Sequence, residues 1–493
     1  MKFLFKPIRI IFLFWPGLLI LMSGSPVFIS GCSCKKDLPA TDSVKLYFFD
    51  GDFRKAAKLI DKLESESDKK NAREFEIFRA KMERIRLDFS KTASEIREEL
   101  RPWFPGLTDE QMEAWEKSKA LEVKIIDGEK RYFKNAVPNL FRLDPAARAA
   151  KVKKGDSSPG PLQIFRLQDI TELITDYNKG TNLIQKKYNF KIDFTIALKP
   201  DAIPEGKTVK CWMPFPKYSP PRQDSVTLSE ANRDFIVADK TAPQRSLFME
   251  GITRKDKSLV FSYSAEFRTS PEYREIKPEL VQPYDTASAV YKEHTKERPP
   301  HIVFSERIKN LANKITGGEI NPYLKVRKIY YWIDENIPWA SALEYSTFES
   351  IPEYVLENRH GDCGMQTLLF MSLARASGIP CKWQSGWMLH PGEVNLHDWC
   401  EVYYEGIGWV PLDISFSLQD SDNIQVKEFY ITGIDGYRLI INDDFSREFT
   451  PVKKFFRSEP VDFQRGELEW EGGNIYFDKW SYHMKVTYHD EKK

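Results

Sequence analysis

The sequence predicts an α+β protein of several domains, with an N-terminal helical region, then an antiparallel β-sandwich domain, then an α+β core. Three observations carry this. The chain has 493 residues, more than one hydrophobic core usually organises. Its apolar spacing changes from a period near 3.6 to a period of 2 at about residue 188, and returns to 3.6 near residue 308. Between about 302 and 417, four short blocks bring a cysteine, a histidine and an aspartate into a helix-then-strands order.

The chain starts with a basic stretch, Lys2, Lys6 and Arg9, followed by an apolar run from Ile10 to Met22 broken at Pro16 and Gly17. That pattern reads as an export signal over 1–31, too short for a membrane span of about 20 apolar residues. Ile29-Ser30-Gly31-Cys32 resembles the lipobox of bacterial lipoproteins, so Cys32 is the expected lipidation site and 32–45 a tether. A lipid-anchored location in the cell envelope follows, with Ser33 compatible with the outer membrane. Lys+Arg 73 against Asp+Glu 72 gives a net charge of +1, and removing the basic signal leaves the body slightly acidic. Nothing in that balance favours a nucleic-acid partner.

Residues 46–180 read as helical. Phe53, Ala56, Ala57, Ile60 and Leu63 follow one helix face, and Phe75, Phe78, Met82, Ile85 and Phe89 another, joined by the polar Ser65 to Asn71. Lys153 to Pro161 is rich in Gly, Pro and Ser and reads as a loop. Residues 181–290 read as the sandwich, since Tyr188, Phe190, Ile192, Phe194, Ile196 and Leu198 alternate, as do Leu259, Phe261, Tyr263, Ala265 and Phe267. Pro299-Pro300 opens the core, 291–440. Asn321-Pro322 has the form of an N-cap and first helical proline. Residues 441–493 read as a second, small β-region.

The chemistry concentrates in the core. Gly361-Asp362-Cys363-Gly364 precedes an apolar helix that ends at Gly378-Ile379-Pro380. Cys363 therefore stands at a helix N-terminus, where orphan N–H groups and the dipole favour a thiolate and draw a cysteine pKa from about 8.5 towards neutrality. The same N–H groups, that of Cys363 included, suit an oxyanion. Downstream, His397 opens one strand and Asp413 lies in the next. Adjacent antiparallel strands bring such side chains into range, Asp413 holding one imidazole nitrogen and the other facing the thiol.

These blocks, Gly361-Asp362-Cys363, Leu373 to Pro380, His397-Asp398-Trp399-Cys400-Glu401-Val402 and Gly408-Trp409-Val410-Pro411-Leu412-Asp413, resemble the transglutaminase-like superfamily over about 302–417. The resemblance implies a cysteine-proteinase-like α+β core with Cys363 as nucleophile, His397 as base and Asp413 as orienting acid. It also implies that an upstream aromatic completes the oxyanion hole, Trp339 first and Tyr345 second. The chain departs from the family's pattern after the Gly-Ile-Pro turn, where Cys381-Lys382 stands in place of arginine. It departs again after the histidine, where Asp398 stands in place of alanine.

Other residues carry blander expectations. Cys381 and Cys400 are either a disulfide or buried free thiols. His360 and His390 are expected in loops, and about half of Trp383, Trp387, Trp399 and Trp409 in the core. No close Cys/His ligand pair accompanies the triad residues, so neither metal nor cofactor is expected. The function expected is attack on amide or peptide bonds of a protein, peptide or peptidoglycan-type substrate through a thioester. Hydrolysis is expected over cross-linking, because a wet compartment offers water as acceptor. The alternative is a catalytically idle scaffold that binds an envelope protein or glycan.

Overall fold

The computed structural model describes residues 40–65, 71–153, 160–180 and 184–489. The expected signal segment and Cys32 lie outside the described residues. Among the described residues no helix is long and apolar enough to cross a membrane.

The N-terminal region is helical as its 3.6 period predicts. Phe53, Ala56 and Ile60 of Phe53–Ser65 pack with Phe75, Met82 and Ile85 of Ala72–Asp88 in one apolar cluster. Two details differ from the expectation. Helix starts already at Ala40, inside the stretch read as a tether. A β-hairpin, Val123–Ile126 with Glu129–Tyr132, interrupts the helices. Its turn is Asp127-Gly128, both at positive φ, the pair that a two-residue hairpin turn favours.

The sandwich consists of two antiparallel sheets. One has the order Gly473–Ile475, Glu467–Trp470, Thr208–Pro214, Ser246–Ile252, Phe235–Val237; the other Trp480–His489, Tyr188–Leu198, Leu259–Thr269, Gln223–Ala231. Alternate residues of both, Ile192, Phe194 and Phe261 facing Trp212 and Met249, fill the space between them. The C-terminal strands are thus not a separate β-region. Trp480–His489 pairs along 189–198 of Tyr188–Leu198, from Trp480 opposite Leu198 to His489 opposite Asn189, and so covers what would be a long bare edge.

In the core, Asn321 caps Pro322–Asn336 by accepting from the N–H groups of Tyr323 and Leu324, as Asn-Pro predicts. The helix Cys363–Ala376 is buried from Cys363 through Arg375, which explains an apolar character that runs all round it. It packs on a sheet of order Gly408–Leu412, Glu393–Tyr404, Cys381–His390, Arg438–Asn442. Gly386 is required there: a Cβ would collide with the carbonyl oxygen of Leu439. Cys211, Cys363, Cys381 and Cys400 are all free and buried. Cys400 lies opposite Trp383 and Cys381 opposite Val402.

Candidate active site

The strand Glu393–Tyr404 decides which side chains meet. It pairs in unbroken register with Cys381–His390, Gly386 opposite His397 and Ser385 opposite Asp398. Successive residues of a strand point to opposite faces, so His397 and Asp398 face different sides of the sheet.

On one side stands the thiol. Cys363 Sγ donates to Asp398 Oδ2 at 3.4 Å. Asp398 Oδ1 accepts from Gln464 Nε2 at 2.8 Å, and the same amide group donates to the carbonyl of His397. Asp362, the helix N-cap, accepts from Met365 N–H at 3.2 Å and from the Tyr345 hydroxyl. Gly364 is the second glycine that close approach demands, since a Cβ there would meet the Tyr345 hydroxyl and lie 2.7 Å from Asp398 Oδ2. The loop carrying Trp339 is strapped to this turn by Ala340 N–H on Gly361 O at 3.0 Å and Gly361 N–H on Pro338 O at 3.3 Å. Around the thiol lies a cavity of about 310 Å³ whose wall includes Trp339, Tyr345, Asp398, Asp462 and Arg465.

On the other side His397 Nε2 lies 2.7 Å from Asp413 Oδ2. Arg438 Nη1 is 2.8 Å from the same oxygen, and its Nη2 is 2.8 Å from Asp435 Oδ2. Asp435 Oδ1 in turn stands 3.4 Å from His390 Nε2. The Ser415 N–H and hydroxyl donate to Asp413 Oδ1, and the Phe416 ring centroid is 4.5 Å from that of His397.

The two sides hold carboxyls in opposite charge states. Burial alone would raise Asp413, yet His397 and Arg438 keep it well below the usual carboxylate range. Burial pushes the His397 imidazole down, against the pull of Asp413, so the ring is neutral near pH 7. Burial raises Asp398 well above its ordinary value, and Asp462 and Asp362 add to the rise. Asp362 is pushed up to about 6 by burial. Burial, then Asp398 and Asp362, push the Cys363 thiol well above the ordinary range.

The structure thus brings His397 and Asp413 together as the sequence predicts, and places Tyr345 beside Cys363. It differs on two points. The polar side chain on the thiol is Asp398, and no hydrogen bond joins Cys363 to the imidazole, because strand alternation turns His397 to the other face. The helix terminus does not make Cys363 a resting thiolate, because burial and two carboxyls outweigh the dipole. Trp339 lines the cavity with its ring exposed and 4.7 Å from the Arg142 guanidinium. His390 ends a strand rather than a loop, and both it and His360 are buried. Trp383, Trp387 and Trp399 are core, while Trp409 is half-buried.

The model of the transglutaminase-like superfamily matches residues 309–414, which span the thiol, the imidazole and Asp413. This stretch is a transglutaminase-like domain. An uncharacterized protein of Haemophilus influenzae is 23% identical over 269 residues, 49% of this chain and 70% of the relative. The uncharacterized YebA of Bacillus subtilis is 26% identical over 133 residues, 22% of this chain and 17% of YebA. Among solved structures, a candidate cysteine protease from Cytophaga hutchinsonii is similar at 16% identity and a TM-score of 0.42, over 63% of this chain and 93% of that one. The periplasmic domain of TgpA from Pseudomonas aeruginosa is similar at 16% identity and a TM-score of 0.25, over 53% of this chain and 95% of that domain. Such remote likenesses leave the chemistry to be read from this chain's own residues.

Several groups around the transglutaminase-like site were not found from sequence. Gln464, Glu459, Asp462 and Arg465 come from a loop far downstream, where Arg465 pairs with Glu344 at 2.8 Å and Glu459 at 2.7 Å. No spacing rule points to them. Asp398 did carry a signal, as the departure from the family's pattern beside the histidine. The N-terminal region also reaches this site: Asn139 exchanges two hydrogen bonds of 2.9 Å with the backbone of Ser341, in the strapped loop.

Proposed function

We propose that the chain is an envelope lipoprotein, anchored through a lipid on Cys32, whose transglutaminase-like domain breaks amide or peptide bonds through a thioester on Cys363. The observation that carries the reading is the placement of Cys363: its thiol stands at the first turn of a buried helix, on the wall of a cavity. Asp362 takes the Met365 N–H, while no group among the described residues accepts from the Cys363 N–H, which is left as a donor for an oxyanion. His397, oriented by Asp413 and neutral near pH 7, is the base that takes the thiol proton. In this structure His397 faces the other side of the sheet from the sulfur, so taking the thiol proton requires the strand Glu393–Tyr404 to turn when substrate binds. Water resolves the thioester. The basic start and the Ile29 to Cys32 segment support the anchor.

The test uses p-nitrophenyl acetate. Wild type is expected to form an acetyl thioester on Cys363, seen by mass spectrometry, and to release nitrophenol; Cys363→Ala loses both by at least about 100-fold. Undiminished turnover in Cys363→Ala overturns the assignment. One observation favours a second reading, the idle scaffold: the resting thiol is held protonated by burial, Asp398 and Asp362. A wild type that forms no thioester, with binding partners unaffected by Cys363→Ala, supports that reading instead.

A further inference from the structure

We infer that the chain holds a second ligand site, on the opposite side of the sheet from the thiol, where Arg222 binds the carboxylate of a ligand with an apolar body. The site does not depend on the reading of Cys363. It is built from a cavity, a buried guanidinium short of partners, and an excess of positive charge around both.

The cavity has a volume of about 820 Å³, within the range of pockets that enclose small organic ligands. Its wall runs from Arg222 and Asp224, at the start of the sandwich strand Gln223–Ala231, across 270–277 to Ile407 in the turn before Gly408–Leu412. No residue lines both this cavity and the one around Cys363. Gln384 fixes its place relative to the sheet. Arg222 Nη1 donates to Gln384 Oε1 at 2.8 Å, and Trp399 Nε1 donates to the same oxygen at 2.7 Å. Trp399 shares a face with His397 by strand alternation, so the guanidinium stands on the His397 side.

Arg222 is 7% exposed, and a cation at that depth ordinarily rests on a carboxylate. This one does not. Among the described residues its N–H groups make a single hydrogen bond, to the neutral amide of Gln384, and Nε has no partner. A Glu401 oxygen stands 3.9 Å from Nη1, but Glu401 already holds Lys382 at 2.9 Å. Arg438, as deeply buried, has a carboxylate at 2.8 Å on each of two nitrogens. The other charges on the wall leave the same excess. Asp224 is engaged by Arg268 through two bonds, of 2.7 and 3.0 Å, and Glu272 by Arg274 at 3.2 Å. Lys187 and Lys277 make no ion pair among the described residues, and Glu275 is the wall carboxylate left to oppose them and Arg222.

The ligand's chemistry follows from this wall. A planar guanidinium matches a carboxylate with parallel N–H···O bonds. Tyr177 and Tyr273, edge to face with centroids 4.9 Å apart, line the same space with Ile276 and Ile407, so the body that carries the carboxylate is apolar. A peptide ending in an apolar residue and a short fatty acid both offer this combination.

The test is calorimetric titration of the full chain carrying Cys363→Ala, so that no probe is consumed. The probes are acetyl-Ala-Ala-Leu and octanoate, each beside its amide, and inorganic phosphate. At least one acid is expected to bind about tenfold or more tightly than its amide, and the tighter acid names the source. Arg222→Gln is expected to bring that acid within about twofold of its amide. The exposed pair Lys187→Ala with Lys277→Ala is expected to weaken the acid about threefold, an effect that added salt reproduces in wild type. A photoleucine version of the peptide, which carries a diazirine, is expected to label Tyr177 or the stretch 270–277, and this mapping needs no change at Arg222. Equal binding of acids and amides overturns the inference. So does phosphate binding as tightly as the acids, an acid preference that survives Arg222→Gln, or labelling confined to segments off this wall.

Discussion

The two faces of the sheet that contains Glu393–Tyr404 hold carboxyl groups under comparable burial and treat them in opposite ways. Asp413 and Asp435 share one guanidinium, that of Arg438, each with a histidine beside it. They are held ionised. Asp398 and Asp462 lie a few residues away in sequence or space, with other carboxyls around them and no cation of their own, and are held protonated. Burial is the largest influence on all four, so depth does not decide their charge. Pairing decides it. One face is built as a fixed ionic frame, and the other keeps a proton on a carboxyl beside the Cys363 thiol.

The sharpest way to break this comparison is to remove the shared cation. Arg438→Leu leaves two buried carboxylates without a guanidinium, and the expected loss of stability is about 3–5 kcal/mol, read as a lowered urea midpoint. Asp398→Asn on the other face should cost about 1 kcal/mol or less, since its partners can still be satisfied. If the two cost the same, the faces do not differ as described. Gly364→Ala comes next. Its methyl enters the space of Asp398 Oδ2 and the Tyr345 hydroxyl, so a loss of about 1–3 kcal/mol is expected, with Cys363 acylation falling at least about tenfold.

The smallest effect expected is a displaced titration. Asp462→Asn removes a neighbouring carboxyl whose ionisation, as pH rises, raises Asp398. The Asp398 pKa then falls, and an NMR titration of its carboxyl carbon is expected to move to lower pH. Stability moves the other way. A carboxyl whose folded pKa is raised stabilises fully below its unfolded pKa and loses that contribution as pH rises through the folded value. Removing Asp462 therefore removes a cost at pH 8 and little at pH 4. Melting curves at the two pH values check the sign.

Local pattern made much of this fold legible. The helical period of Phe53 to Leu63, the alternation of Tyr188 to Leu198 and the Asn321-Pro322 cap each state a preference that packing then uses. Cys363, His397 and Asp413 stand out because a helix terminus and two strands within a short stretch must bring them near one another. Alternation was equally legible, and it already implied that His397 and Asp398 cannot share a face. What stayed hidden is non-local. Trp480 to Tyr488 alternates as visibly as any strand, yet nothing in its own pattern says that its partner is the strand starting at Tyr188. Gln464 and Asp462 sit in a loop without periodicity, so their place beside the thiol is set by the path of the chain alone. The Asp127-Gly128 turn was a readable signal inside a stretch whose helical neighbours masked it.

The hydrogen bond from Gln464 to Asp398 has a consequence in time. A chain made from its N-terminus completes the cysteine helix and the strand of His397 well before residue 464 exists, and N-terminal domains fold first. Until the last segment arrives, Asp398 has no amide to orient it and the cavity lacks the wall that carries Asp462 and Arg465. A nascent or truncated chain thus carries the thiol before Asp398 is oriented and before that wall exists. The last-made segment of the described chain closes the cavity that the earlier helix opens.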